Sequence, residues 1–268
     1  MSDPFSGRIE IEIVDHIAEV RLNRPEKKNA LDPAFFAALA AAGESLQGNT
    51  DIRAVVMYGK GNCFCAGIDT SSLMQMAQDI EAVREEMRTP PAAMNGNRFQ
   101  RPTVAWQELE VPVIAAIEGV AFGGGAQLAL AADFRVMAPD ARISIMEARW
   151  GIIPDMGITQ SLPQLVRADI AKELIMTGRV LDAAEALDVG LTTWVKEDPV
   201  AEARAFAKAL AEKSPDAIRG SKELIDKTWA AGPEGLALEG EIQARIIGYP
   251  NQVETVMAQM QGRPAKYS

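Results

Sequence analysis

The run Gly119-Val-Ala-Phe-Gly-Gly-Gly-Ala-Gln127 offers the clearest chemistry in this chain. It follows an apolar stretch, Val113-Ile-Ala-Ala-Ile117, and leads into Ala126-Gln-Leu-Ala-Leu-Ala-Ala132. That order reads as a strand, a glycine turn and the first turns of a buried helix. Gly123, Gly124 and Gly125 let main chain approach a ligand with no Cβ in the way. The first N–H groups of a helix have no partner inside it and can hold negative charge. A second strand-to-helix loop contains Cys65-Ala-Gly-Ile-Asp69. One N–H from each loop could grip a single carbonyl oxygen. Acyl chemistry needs such a grip. A thioester that loses an α-proton, or gains a nucleophile at its β-carbon, passes through an enolate with a negative oxygen. Each pre-aimed donor there lowers the barrier by roughly 3 kcal/mol. The glycine run is not a Walker loop, since no Gly-Lys-Ser/Thr follows, and it does not fit G-x-G-x-x-G.

The elements that must position these loops have readable signals. Ile9, Ile11 and Ile13 alternate with Glu10 and Glu12, the period of a strand. A second strand spans residues 17–22, with His16 in the turn between the two. Asp32-Pro33 supplies an N-cap and a first helical residue for a helix reaching about Leu46. Residues 53–58 form a buried strand, and Asp69 or Thr70 caps a helix from about Ser72. Residues 88–103, with Pro90, Pro91, Asn95, Gly96, Asn97 and Pro102, read as a loop or mobile insert. That insert, with Met74, Met76, Met87 and Met94, edges an acyl pocket or simply packs. Short strands follow at 134–137 and 143–145. From about residue 159 the pattern is helical to the end, in amphipathic segments near 168–176, 182–188, 199–213, 215–230, 233–247 and 250–261. Alternating strands and helices followed by helices alone predict an α/β core over 1–200 and a helical C-terminal region over 201–268.

Composition limits the functions open to this chain. With 268 residues, 48% of them hydrophobic, it can bury a large core. No stretch is apolar for long enough to span a bilayer, and Met1-Ser-Asp-Pro-Phe-Ser lacks the layout of a signal peptide, so a cytoplasmic setting with no membrane partner is expected. A net charge of −10 disfavours nucleic acid, while leaving room for a small phosphorylated ligand. Cys63 and Cys65 are too close together to staple a fold. With one histidine in the chain, they make no closed zinc site, so no metal is expected. A Ser-His-Asp or Cys-His triad would have to use His16, which reads instead as a turn residue.

Four segments occur together in the order and spacing of the crotonase family, also called the enoyl-CoA hydratase/isomerase superfamily. They are Asn23-Arg-Pro-Glu-Lys-Lys-Asn-Ala-Leu31, Phe64-Cys-Ala-Gly-Ile-Asp69, residues 112–125 and Gly151-Ile-Ile-Pro-Asp-Met-Gly-Ile-Thr-Gln160. The chain resembles that family from its first strands to Gly262-Arg-Pro-Ala-Lys266. The resemblance implies a spiral of ββα units with a helical C-terminal trimerisation region, a homotrimer or hexamer, and an acyl-CoA thioester substrate with no cofactor beyond that CoA. Carried over by motif position, the oxyanion donors are the N–H groups of Ile68 and Gly124. Lys28, Ala30 and Ala66 line the CoA path, and Gly67, Asp69, Gly123 and Gln127 complete the substrate site.

The same resemblance bears on the reaction. Hydratases of the family use two glutamates, one just after the glycine loop and one about twenty residues on. Here the first position is Gln127, whose amide exchanges no proton at neutral pH. The second is Glu147, set among largely apolar neighbours, where burial would raise its pKa towards neutrality. An isolated glutamate in so acidic a chain is ordinarily surface charge, and the motif match is what assigns it proton transfer. Asp155, eight residues later, resembles the second carboxylate of the dienoyl-CoA isomerase branch, although a turn residue bonding its own backbone would look the same. That branch usually has Asp where Gln127 stands. Double-bond isomerisation is therefore favoured over hydration of a 2-enoyl-CoA. Thioester hydrolysis or C–C cleavage in the same pocket, and a weakly active acyl-CoA-binding protein, remain as further readings.

Overall fold

A computed structural model describes residues 4–91, 95–213, 215–229, 240, 243–244 and 247–263. The expected segment 233–247 falls mostly outside these residues, as does Met94. Strands β1 (Ile9–Val14) and β2 (Ile17–Leu22) pair antiparallel. They turn through Asp15 and His16, both at positive φ (50° and 67°), the backbone a two-residue hairpin needs. His16 is thus a turn residue, with Nδ1 2.8 Å from the Asp51 carbonyl. Helix α1 (Pro33–Leu46) starts where the sequence places it: Asp32 accepts a 2.8 Å bond from the Phe35 N–H.

The large sheet runs β1-β2-β3-β4-β6-β9, with β3 at Ala54–Gly59, β4 at Val113–Ile117, β6 at Phe134–Met137 and β9 at Trp194–Val195. After β1 every pairing is parallel. Side-chain alternation splits its two faces. Val55, Met57, Val113, Ala115 and Ile117 join the main core with α1, while Ala54, Val56, Ile114 and Ala116 join a second cluster. That second face is covered by α9 (Pro199–Ala211) through Ala203 and Ala207. Small side chains at i and i+4 let this helix lie close to the sheet. A boundary at residue 200 thus falls inside a helix packed on the core sheet.

A smaller sheet, β5-β7-β8, joins Val120–Phe122, Arg142–Ser144 and Leu181–Asp182. Two isolated parallel bridges, Cys65 with Ala121 and Leu31 with Ile68, carry the same pairing back through the earlier loops. Each turn of the chain thus repeats a strand in the large sheet, a strand or bridge in the second layer, and a helix. This is the spiral of ββα units.

Several expectations are corrected. The strand at 113–117 does not pass straight into the glycine turn, because β5 intervenes and crosses to the second sheet. The 88–103 segment is not all loop: α3 (Ile80–Arg88) runs into its start and α4 (Arg101–Gln107) begins at its end. Pro102 sits in the first turn of α4, where its missing N–H costs nothing. Helix α2 spans Thr70–Met76, two residues earlier than expected. The chain beyond residue 159 is not purely helical. After α6 (Leu162–Leu165) and α7 (Ala168–Thr177) come the two-residue strands β8, before α8 (Ala183–Asp188), and β9, after it, both too short for any period to betray. Helices α10 (Pro215–Trp229) and α11 (Pro250–Gln261) follow α9. No helix of the described residues is long and apolar enough to cross a membrane.

Asp32 ties three of these parts together. It caps α1 and takes a bidentate grip from Arg8, with Nη2 at 2.6 Å and Nε at 3.1 Å; Arg24 Nε lies 3.6 Å away. Asp32→Ala removes a cap and a half-buried ion pair, a loss of about 2 kcal/mol, measurable as a lower urea midpoint with unchanged m-value.

Candidate active site

The register of the two bridges decides where the loop amides point. Leu31 N–H donates to the Gly67 carbonyl at 2.8 Å and Asp69 N–H to the Leu31 carbonyl at 2.9 Å. Residues 67 and 69 thus face Leu31, and the Ile68 N–H between them points the other way. In the second loop, Cys65 N–H donates to Val120 (2.9 Å) and Phe122 N–H to Cys65 (3.0 Å). Gly123 N–H goes to the Ser144 carbonyl at 2.9 Å, and α5 (Gly124–Leu130) begins at the next residue. Among the described residues, neither the Ile68 nor the Gly124 N–H has a backbone acceptor. Both residues line one cavity of about 350 Å3, together with Ala30, Ala66, Gly67, Asp69, Gly123, Gln127, Glu147 and Asp155.

Glycine is obligatory at two of these positions. Gly123 sits at φ 51°, ψ −120°, a backbone region that side chains rarely adopt. A Cβ on Gly125 would lie 2.4 Å from the Cys65 carbonyl oxygen and 2.8 Å from its Sγ, so the loops meet at their closest there.

Glu147 opens a one-turn 3-10 helix after β7, in a place that is 6% exposed. Its Oε1 accepts a 2.6 Å bond from Gln127 Nε2, and its Oε2 is buried with no hydrogen-bond partner. Burial pushes its pKa up to about 7, and the bond from Gln127 only partly offsets this. Gln127 itself is fixed, since its Oε1 accepts from the Met156 N–H at 2.8 Å. The Met156 carbonyl in turn accepts from Thr103 Oγ1. Glu147 thus lines the cavity with one carboxyl oxygen held by an amide and the other buried and unpaired.

The other expected residues divide. Asp155 lines the cavity, on the same side as Met156 and Ile152. The Asp69 carboxylate is committed elsewhere: bonds from Ser71 and an ion pair with Arg24 (2.8 Å) hold its pKa down to about 2. Lys28 is exposed and absent from the cavity wall, where Lys27 stands instead. The cause is local. Lys28 and Asn29 are both left-handed (φ 49° and 54°), which turns the Lys28 side chain outwards while its carbonyl accepts from the Ala66 N–H at 2.9 Å. Buried Asn29 locks that bend, donating to the Cys63 carbonyl at 2.6 Å and accepting from the Arg24 N–H at 2.8 Å. Met87 reaches the cavity, joined by Met146 and Met156, whereas Met74 is exposed.

Sequence reading missed the cover of the site. Gln243 and Ile247 line the cavity, and Gln243 Oε1 accepts from the Ile153 N–H at 3.3 Å. Helix α11 packs on the Glu147 turn, where Gln252 and Gln259 donate to the Trp150 and Arg149 carbonyls. The C-terminal region thus closes over its own active site. No local pattern in the sequence names the distant carbonyl a glutamine will meet.

Two outcomes follow. Gly125→Ala forces the loops apart at Cys65, so activity on an acyl-CoA falls by at least ~10²-fold while far-UV circular dichroism is retained. Glu147 in the unfolded chain titrates near 4.3, and in the folded chain near 7. The folded state binds the extra proton between those values, so this residue's contribution to stability falls as pH rises through that window. Glu147→Gln is then more stable than the parent at pH 8, by on the order of 3 kcal/mol, with the advantage gone at pH 4. Thermal melts at both pH values read this directly.

Residues 12–256 match the family model for enoyl-CoA hydratase/isomerase. The mitochondrial Delta(3,5)-Delta(2,4)-dienoyl-CoA isomerase of Rattus norvegicus is 33% identical, over 94% of this chain and 78% of that one. The mitochondrial methylglutaconyl-CoA hydratase of Mus musculus is 32% identical, over 94% and 79%. An enoyl-CoA hydratase/isomerase structure from Pseudoalteromonas atlantica T6c superposes with a TM-score of 0.83 at 28% identity, over 97% of this chain and all of that one. With that model spanning most of its length and the ββα spiral around its cavity, this chain belongs to the enoyl-CoA hydratase/isomerase family of enzymes, the crotonase superfamily.

Proposed function

We propose that this enzyme moves a double bond in an enoyl- or dienoyl-CoA through an enolate held by the Ile68 and Gly124 N–H groups. The observation that carries this reading is the pairing of Gln127 with Glu147. Hydration by the two-glutamate route needs two groups that both exchange protons, one to activate water and one to protonate the α-carbon. Gln127 can do neither; it orients its neighbour instead. Isomerisation needs no water. The deprotonated Glu147 carboxylate takes a proton from the α-carbon, and the electron pair moves onto the thioester oxygen. The enolate then collapses as a proton returns further along the chain. In an enoyl substrate the protonated Glu147 returns it to the γ-carbon. In a 3,5-dienoyl substrate Asp155, starting protonated, gives its proton to the distant carbon, C6, and the proton taken by Glu147 passes back to Asp155 before the next turnover.

The thioester carbonyl enters between the two loops. The CoA moiety leaves past Lys27, Ala30 and Ala66, with Lys28 acting through its backbone rather than its charge. A homotrimer or hexamer accompanies this reading, as the resemblance implies. The exposed apolar side chains of α10 (Leu224, Ile225) and α11 (Val253, Met257, Met260) are surface such an assembly would cover. Hydration of a 2-enoyl-CoA is the second reading, favoured by one fact: Asp155 provides another carboxyl in the same cavity.

Ultraviolet absorbance with a 3,5-dienoyl-CoA and with crotonyl-CoA separates the two. The expected outcome is dienoyl turnover with slow or no hydration, and faster hydration would reverse the order of the readings. Glu147→Gln lowers isomerisation by about 10³-fold or more, and Asp155→Asn lowers dienoyl turnover more than that of a 3-enoyl-CoA. Because Glu147 must start deprotonated, kcat/KM rises with pH along a limb centred near 7.

A further inference from the structure

Beside the catalytic cavity lies a second hollow of about 600 Å3, between α1 and α3. Its floor is apolar, formed by Ala37, Ala40, Ala41, Ala82 and Val83. Two side chains line both spaces, Phe36 and Phe99. Their rings meet edge to face, with centroids 6.3 Å apart and planes at 77°. Phe99 is buried and firmly seated. Its N–H donates to Asn97 Oδ1 at 2.9 Å, and the buried Asn97 is anchored by Nδ2 on the Met87 carbonyl at 3.0 Å. The Arg98 guanidinium lies 4.7 Å from the Phe99 ring centroid and is itself paired with Glu86 at 2.7 Å. The inner cavity, about 350 Å3, stands at the low end of the roughly 300–1,000 Å3 seen for ligand sites.

We propose that Phe36 and Phe99 form a fixed partition between the catalytic cavity and this outer apolar hollow, so that the enzyme selects short acyl tails and shuts long ones out. The inference rests on the acyl-CoA reading above but not on which reaction follows. Chain-length selectivity then resides in two rings distinct from the oxyanion donors and Glu147. Removing one ring joins the two spaces and opens an apolar channel in which further methylenes of the tail are buried.

The test is calorimetric binding of saturated butanoyl-CoA and dodecanoyl-CoA to the full-length protein, which needs no turnover. The parent protein is expected to bind butanoyl-CoA more tightly than dodecanoyl-CoA. Phe99→Ala is expected to tighten dodecanoyl-CoA by at least ~10-fold and to leave butanoyl-CoA within about threefold. Phe36→Ala, which leaves the Asn97 anchor intact, makes the same reading if Phe99→Ala fails to fold, and Phe99→Leu keeps the parent's preference. Dodecanoyl-CoA bound as tightly as butanoyl-CoA by the parent, or unmoved in a folded alanine variant, overturns the partition. If the saturated series behaves as stated while dienoyl-CoA is not turned over, the isomerase reading falls and the partition stands.

Discussion

Two single-residue parallel bridges hold the active site. Where Leu31 meets Ile68 and Cys65 meets Ala121, the loops are fixed relative to each other by hydrogen bonds rather than by side-chain packing. A parallel bridge engages the groups flanking the central residue. In the Leu31–Ile68 bridge the Ile68 N–H is left facing away from Leu31, and Ile68 lines the cavity. The same pairing brings the second loop against the first so closely that Gly125 has no room for a Cβ. Ile68 and Gly124, from sequence-distant turns, reach one cavity because the second layer of the spiral continues, bridge by bridge, through both loops.

Around that frame the protein keeps one group in electrostatic tension. Glu147 has one oxygen satisfied by Gln127 and one that is buried without a partner. Desolvation disfavours its charged form, and this brings a carboxyl into the range useful at neutral pH. A carboxylate at position 127 would share a proton with Glu147, and the pair would titrate as a unit. An amide donates instead, fixing orientation without adding charge. The cost in folding free energy falls on the one residue whose protonation equilibrium the proposed chemistry needs. The rest of the neighbourhood is conventionally satisfied: Asp69 by Ser71 and Arg24, Asp32 by Arg8 and the start of α1.

The cavity is closed by segments far apart in the chain. Helix α11 grips the Glu147 turn through Gln252 and Gln259, Gln243 reaches the Ile153 N–H, and α1 and the Asn97 turn supply Phe36 and Phe99 to the cavity wall. Ile68 and Gly124 belong to loops of the spiral core, while Gln243 and Ile247 bring the C-terminal part of the chain to the same cavity.

Local physics made part of this legible in the sequence. The hairpin around His16, the Asp32-Pro33 helix start and the alternating faces of β3 and β4 follow from backbone preference, capping and period, all of which act within a few residues. The motif resemblance added the family, the two loops and the position of Glu147. What remained hidden depends on long-range pairing. Strand β5 is three residues inside a glycine run, β8 and β9 are two residues each, and such segments become strands only when a partner presents its edge. The substitution of Lys27 for Lys28 in the cavity wall required two consecutive left-handed residues locked by the Asn29 side chain. That Oε2 of Glu147 rather than Oε1 is left unpaired, that Met156 fixes Gln127, and that Phe36 meets Phe99 are facts of distance between residues tens of positions apart. The sequence chose the residue types, and tertiary contact chose which atoms meet, because hydrogen-bond direction and desolvation exist only once the chain has brought separate turns within a few ångströms.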